Sequence, residues 1–326
     1  MVIVYATDDN YAVYTGISMA SVMNQNRGMS DLSFFILDNG IKDDNVHKLK
    51  LLCRRYGRQV QLINIQNYKE YLDFEPDTHG FNPIVVVRLV ITKYIPDTID
   101  KVLYMDGDTL VTGSLQELDE LELRNYDVAA VPELYMPPFK KKETIGFDLE
   151  ETYYNAGILL INLKQWREKS LEKVFLKYYK ENSRRLLYND QDVINYCCKG
   201  NIYTLPQWYN MSTNFCFFPK YYVRKIQPKY VFTPAELYHK KAKHPVIIHY
   251  MGDERPWNNG SFNWCIPIFE MYAAKTPWKK VPKEEGHEAY MLLYHLLNIG
   301  TIFFPSGRIF ISNYIGINKY KWFGKK

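Results

Sequence analysis

The stretch VLYMDGDTLV, residues 102–111, sets two aspartates one residue apart behind a short apolar run. If Val102–Met105 is a buried strand, Asp106 and Asp108 stand at its C-terminal end, where open α/β sheets bind their ligands. Two neighbouring carboxylates repel one another, and a hard divalent cation would supply the compensating charge. The plainer reading is a turn that merely exposes its acids, because Asp and Gly are common turn residues. The rest of the chain decides between them.

Upstream, Val2–Ala6 reads as a buried strand, followed by the polar TDDN and a helical stretch from about Tyr11 to Asn26. Strands at Leu32–Leu37 and Val60–Ile65, with a helix at about Asp43–Tyr56 between them, complete a βαβαβ order. That order predicts a parallel sheet with covering helices. Further strands are expected at Val102–Met105, Val128–Val131, Ile158–Leu163 and Val246–His249. Asn82-Pro83 looks like a helix start, with Asn as cap and Pro in the first turn. The run IVVVRLVITKY follows, and Arg88 stands alone among its apolar neighbours. An unpaired buried guanidinium is very costly, so Arg88 must meet an acid, an anion or water. It is either half of a core ion pair or an arm reaching an active-site carboxylate or a substrate oxygen. Lys140–Glu151 is charged and patternless and reads as a mobile surface loop.

A chain of 326 residues can build one large α/β domain plus an appendage. Its 47% hydrophobic and 24% charged residues are those of an ordinary globular protein. A net charge of +5 is modest and gives no sign of a nucleic-acid partner. The 28 tyrosines suit sugar-facing and interfacial surfaces, although tyrosine is also a good sheet residue. Five scattered cysteines without C-x-x-C spacing fit a reducing compartment. The first residues enter a strand without the layout of a signal peptide, and no run reaches the ~18 apolar residues of a spanning helix. A cytoplasmic protein is expected.

An aspartyl phosphatase of the haloacid dehalogenase type would read D-x-D-G-T after its strand. Here Gly107 lies between the aspartates, Thr109 follows directly, and Asp106 stands a third of the way along the chain. Five patches point elsewhere: YATDDNY (5–11), DGD (106–108), YYNAGILLINL (153–163), NDQDVIN (189–195) and HYMGDERPW (249–257). In this order, over about residues 1–260, they resemble the retaining glycosyltransferases of family 8, which include bacterial lipooligosaccharide galactosyltransferases. The resemblance implies the GT-A fold, a Rossmann-like, mostly parallel mixed sheet flanked by helices. Residues 1–275 would then form the catalytic domain and 276–326 a tail.

The same resemblance implies a UDP-hexose donor, galactose or glucose, and a glycan, glycolipid or glycoprotein acceptor. It makes Asp106, Asp108 and His249 the ligands of Mn²⁺ on the donor diphosphate. Carboxylates plus one imidazole suit Mn²⁺ better than Ca²⁺, with Mg²⁺ left open. Asp8 would accept from the uracil imide, Asn10 would reach ribose or base, Tyr11 would stack on the ring, and Ala6 would let the base approach. A helix cap is the plain alternative for TDDN, compatible with the first. Gly107, Asn155, Ala156 and Gly157 would contact the sugar or diphosphate, with Glu133 near the sugar. Arg88 and Asp190 would contact the donor sugar, and Gln191 would face its anomeric carbon. Gly252 and Arg255 would touch phosphate, although Arg255 stands where the family usually has lysine and follows two extra acids, Asp253 and Glu254. A non-catalytic partner subunit of the same fold is the alternative to an enzyme.

The tail mixes aromatics with Arg308, Lys319, Lys321, Lys325 and Lys326, which from Gly286 onward face only Glu288. Basic residues interleaved with aromatics suit an interfacial segment on an anionic leaflet, placing the protein peripherally on the inner face of the membrane. The alternative is a terminal subdomain packed on the core or on a partner.

Overall fold

The computed structural model describes the chain except residues 73, 77, 79–81, 135–144, 149–150, 214–218, 227–228, 233–244, 305, 309, 312–313 and 315–326. Much of the loop expected at Lys140–Glu151, together with Lys319, Lys321, Trp322, Lys325 and Lys326, lies outside the described residues.

The opening β1 (Val2–Thr7), α1 (Ala12–Gln25), β2 (Ser33–Asp38), α2 (Asp43–Arg55) and β3 (Val60–Asn64) follow the alternation read from the sequence. After them come β4 (Lys101–Met105), β5 (Thr109–Val111), α3 (Gln116–Glu120), β6 (Val128–Pro132) and β7 (Tyr154–Asn162). Then come α4 (Leu163–Glu168), α5 (Leu171–Asn182), α6 (Asp190–Cys197), β8 (Ile202–Thr204), β9 (Met211–Ser212), α7 (Lys220–Ile226) and β10 (Ile247–His249). The described chain closes with α8 (Ile266–Ala273) and α9 (Glu288–Gly300).

Seven strands form one sheet in the order β3-β2-β1-β4-β7-β6-β8. Only β7 runs against its neighbours: β4 and β6 both pair with it antiparallel, and the other pairings are parallel. The register Met105↔Ile158 therefore brings the first residues of β7 to the edge where β1, β4 and β6 end. β7 begins four residues earlier than expected, at Tyr154, so Asn155–Gly157 are strand and not loop. A second, three-stranded sheet, β5-β10-β9, leans on this edge. Apolar clusters fill both faces of the large sheet, around Trp166, Tyr179 and Phe175 on one side and around Ile3, Met19 and Leu160 on the other.

Residues Pro83–Lys93 form the helix read from the sequence, but as a 3₁₀ helix, with a break at Val90 (φ −117°, ψ 23°). Six of these residues are Val or Ile, whose branched Cβ atoms crowd an α-helical turn. Asn82 caps the start as read, its Oδ1 accepting from Ile84 N at 3.1 Å.

The segment after α8 is fastened to the core. Trp278 Nε1 donates to Asn45 Oδ1 at 2.9 Å, and Tyr14 donates to Glu284 at 2.9 Å. The indole of Trp278 lies flush on Gly16 of α1, where an added Cβ would sit 2.4 Å from Trp278 Cζ3. Gly16→Ala should accordingly cost about 1–3 kcal/mol by overpacking a rigid ring, read as a lower denaturation midpoint. Trp278→Ala in the same chain should make that alanine harmless. An unchanged midpoint for Gly16→Ala alone would show that the indole does not rest there.

Candidate active site

The two sheets meet at Asp106-Gly107-Asp108, which links β4 of the large sheet to β5 of the small one. Asp106 N donates to Gly157 O at 2.8 Å, tying the link to β7, and Tyr250 N donates to Asp108 O at 2.9 Å, tying it to β10. The antiparallel register His249↔Thr109 then sets the imidazole beside the aspartates. His249 Nε2 is 3.1 Å from Asp108 Oδ1 and 4.0 Å from Asp106 Oδ2. One ligand atom from each of the three lies within 4.8 Å of the others. Two carboxylates and an imidazole, close enough to share one ion, fit a divalent cation.

A buried hydrogen-bond chain orients that imidazole. Glu133 Oε2 accepts from Asn155 Nδ2 at 2.7 Å, and Asn155 Oδ1 accepts from both Gly157 N and Asn210 Nδ2 at 2.8 Å. Asn210 is thereby turned so that its Oδ1 meets His249 Nδ1 at 3.0 Å. Asn210 Oδ1 can only accept, so Nδ1 is the donor in that bond, and Nε2 is the nitrogen turned to the carboxylates that would be offered to a metal. Gly157 makes room: a Cβ there would fall 2.2 Å from His249 Cε1 and 2.9 Å from Asp106 Oδ2.

Arg88 is the electrostatic hub. It is 4% exposed, and its Nη2 lies 2.9 Å from Asp106 Oδ1 while its Nε lies 2.9 Å from Asp190 Oδ2. Its Nη1 donates to Ala156 O, and its guanidinium rests 4.5 Å from the centre of the Tyr104 ring. The alternatives of core ion pair and active-site arm merge here, because the paired carboxylates belong to the site. Burial pushes the Asp190 carboxyl up to about 7 against the pull of Arg88. Burial also raises Asp106 despite Arg88. At Asp108 the same burial is outweighed by His249 and Arg255, and the carboxyl titrates lower than usual. Burial works against a charged His249, but Asp108 and Asp106 prevail and raise it.

NDQDVIN opens α6 as expected, with Asp190 and Gln191 in the first turn. Asn195 clamps that helix to β7, exchanging hydrogen bonds with Tyr154 N and O at 2.7 and 2.8 Å. Gln191 Oε1 accepts from Ala156 N at 2.8 Å, so its amide is a fixed dipole at the cavity wall. On the other side, Asp8 accepts from Tyr11 N at 3.0 Å and from Asn82 Nδ2 at 2.9 Å, while the cap of α1 is Tyr11 and not a residue of TDDN. Arg255 donates to the Tyr11 hydroxyl at 2.7 Å and lies 3.6 Å from Asp108 Oδ2. A branched guanidinium reaches both at once, which a lysine point charge would not.

These groups line one cavity of about 700 Å³. Ala6, Asp8, Tyr11, Arg88, Asp106, Gly107, Asp108, Glu133, Asn155, Ala156, Gly157, Asp190, Gln191, His249, Gly252 and Arg255 all border it. Asn10 does not; it is exposed, in the turn before α1. Asn82, Tyr104, Asn189, Ser212 and Thr213 also border it, as do Tyr294, Asn298 and Arg308 from the tail. Asn210 stands behind the lining. A two-residue β9 paired in parallel with β10 brings it there, and so short a strand leaves no periodic signal.

Residues 2–261 match the model of glycosyl transferase family 8. The chain belongs to that family. This glycosyltransferase is 26% identical to a lipopolysaccharide 1,2-glucosyltransferase of Escherichia coli, over 90% of its own chain and 84% of the relative. It is also 26% identical to a lipopolysaccharide 1,3-galactosyltransferase of Salmonella typhimurium, over 91% and 85%. Among solved structures it resembles the galactosyltransferase LgtC in complex with donor and acceptor sugar analogs. That match has TM-score 0.70 and 28% identity, covering 89% of this chain and 99% of the other. The mixed seven-stranded sheet with its flanking helices is the GT-A fold.

Asn210→Ala should weaken Mn²⁺ binding by roughly 10–100-fold, the usual consequence of freeing a ligand histidine from its outer partner. Calorimetric titration of the metal reads this directly. Wild-type affinity in the variant would show that His249 does not depend on that bond.

Proposed function

We propose that this glycosyltransferase moves a hexose, galactose or glucose, from a UDP-sugar to a hydroxyl of a cell-surface glycan, with Mn²⁺ and with retention at the anomeric carbon. The observation that carries the reading is the joining of Asp106, Asp108 and His249, Arg255 on Tyr11, and Asp190 with Gln191 in one cavity. The names of the relatives, which act on lipopolysaccharide with glucose or galactose, support it. Ala6, Asp8 and Tyr11 would take the nucleotide, Arg255 and Gly252 the diphosphate, and Arg88, Asp190 and Asn155 the sugar. Asp106, Asp108 and His249 would hold the metal, which when bound neutralises charge on the departing diphosphate.

Retention follows from attack on the face that UDP leaves. The bond from the anomeric carbon to the phosphate oxygen breaks and the bond to the acceptor oxygen forms. The acceptor proton passes to the departing phosphate oxygen. Gln191 is a poor nucleophile, being an amide whose oxygen already accepts from Ala156 N. Asp190 is paired with Arg88, which lowers its reactivity as an attacking group. Both features favour the same-face route over a covalent intermediate.

The tail suits a site beside the membrane on the cytoplasmic side. Among the described residues no helix is long and apolar enough to cross a membrane. The outer face of α9 and the turn after it nevertheless expose Leu292, Leu293, Leu296, Ile299, Phe303 and Phe304. Phe303 is 82% exposed. We assign this patch to an anionic bilayer surface, because the sequence that follows carries four lysines among aromatics.

Asp106→Asn or Asp108→Asn should lower turnover of UDP-galactose or UDP-glucose by at least about 100-fold, and EDTA should do the same to the wild type. Gln191→Ala should keep its affinity for UDP and lose turnover. NMR of the product should show the donor's anomeric configuration. Full activity of either aspartate variant in EDTA would sink the metal assignment. Phe303→Ser with Phe304→Ser should reduce salt-sensitive binding to phosphatidylserine vesicles while leaving donor hydrolysis as it was. Wild-type vesicle binding by that double variant would remove the patch from the membrane.

A further inference from the structure

The two acids that set HYMGDERPW apart from the family pattern hold the tail helix in place. Glu254 is buried and accepts from Phe262 N at 3.0 Å, and its Oε1 lies 3.3 Å from His295 Nδ1 on α9. His295 Nε2 meets Gly260 O at 3.1 Å, and Asn259 donates to Glu288 at 2.7 Å. Asp253 bonds to the Tyr290 hydroxyl one turn earlier. The inner face of α9 is thus fixed along the loop that also carries Gly252 and Arg255.

That docking brings the tail into the catalytic cavity, beyond the stretch 2–261 that matches the family model. Arg308, 8% exposed, follows α9 and folds back over it. Its Nε donates to Asn298 Oδ1 at 2.7 Å, and its guanidinium sits 5.0 Å from the centre of the Tyr294 ring. Tyr294 and Asn298 are one helical turn apart, so one edge and one face of the guanidinium are fixed by a single stripe of α9. A preorganised planar cation in a cavity wall is suited to a carboxylate or a phosphate. On the reading given above, the donor's diphosphate already has the metal triad and Arg255. Among the described residues that border the cavity the arginines are Arg88, Arg255 and Arg308, and the first two are given to the donor.

We propose that Arg308, positioned by Asn298 and Tyr294, binds an acidic group, carboxylate or phosphate, on the acceptor sugar. This rests on the cavity being a UDP-sugar site, and the experiment separates the two claims. Full-length protein is titrated with glucose 6-phosphate, glucuronate and neutral glucose by saturation-transfer NMR, with and without UDP and Mn²⁺. The wild type should bind the acidic sugars about ten-fold more tightly than glucose, the scale of a charge-assisted contact. Arg308→Gln should erase the difference, Asn298→Ala should shrink it, and Arg308→Lys should keep part of it. Affinity for UDP with Mn²⁺ should be the same in all four proteins, which also reports that they are folded. A wild type that treats acidic and neutral sugars alike would leave Arg308 only a clamp on Asn298 and Tyr294 of α9 and overturn the proposal. So would an Arg308→Gln protein that loses UDP affinity, since the contact would then belong to the donor. If no form binds UDP, the donor reading fails by itself, while the nucleotide-free titrations still decide the acidic-sugar site.

Discussion

Arg88 is a full positive charge in a nearly dry place, and the site can be understood as the set of groups that make this tolerable. A buried guanidinium without partners costs far more than a domain's net stability can absorb. Its partners come from three elements distant in sequence: Asp106 at the end of β4, Asp190 at the start of α6, and the Ala156 carbonyl in β7. Satisfying Arg88 therefore assembles the cavity. The same charge keeps two mutually repelling carboxylates close together while leaving Asp106 its second oxygen, Oδ2, for the histidine side. Removing either acid would leave the cation underpaired, so binding and stability are coupled at this point.

The reversed direction of β7 is the second constraint. In an all-parallel sheet the residues at the open edge are all strand ends and the loops that leave them. Here Asn155, Ala156 and Gly157 lie near the start of an antiparallel strand, just ahead of its pairing with β4 at Ile158. They are held by Asp106 N on Gly157 O and by the Gln191 and Asn155 side chains on Ala156 N and Gly157 N. That gives the cavity a rigid floor, on which Asn155 can serve as a junction between Glu133 and Asn210. The glycine is needed at one position of that floor because imidazole and carboxylate occupy the space of its missing side chain.

Much of this was legible in the sequence, for definite reasons. The first five elements carry long apolar runs and clear turns, so their order and nearly their bounds follow from periodicity. Asp106, Asp108 and Arg88 stood out because charge beside apolar runs demands an explanation, whereas Asp190 came only with the family resemblance. What escaped has equally physical causes. The 3₁₀ form of 83–93 reflects local crowding that an apolar count does not see. In the small sheet β10 was read at Val246–His249, but its neighbours β5 and β9 have three and two residues, below the length at which alternation shows, and with β9 went Asn210. Asn10 was assigned with Asp8 and Tyr11 through the family resemblance of YATDDNY, but it is exposed and does not border the cavity as Asp8 and Tyr11 do.

The tail shows why two readings that look exclusive need not be. Docking on a membrane and packing on the core were set against each other, as though one segment had one face. An α-helix has several, and α9 divides them: Met291, Tyr294, His295 and Asn298 turn toward the loop at 251–260 or the cavity, while Leu292, Leu293, Leu296 and Ile299 turn outward. His295 and Asn298, which interrupt the apolar run, belong to the inward stripe, so their polarity does not argue against an apolar outer face. The inner contacts fix the orientation of the outer face relative to the cavity mouth. Whatever surface covers that outer face is therefore held at a set angle to the site. An acceptor presented from that surface would meet the cavity from one fixed direction.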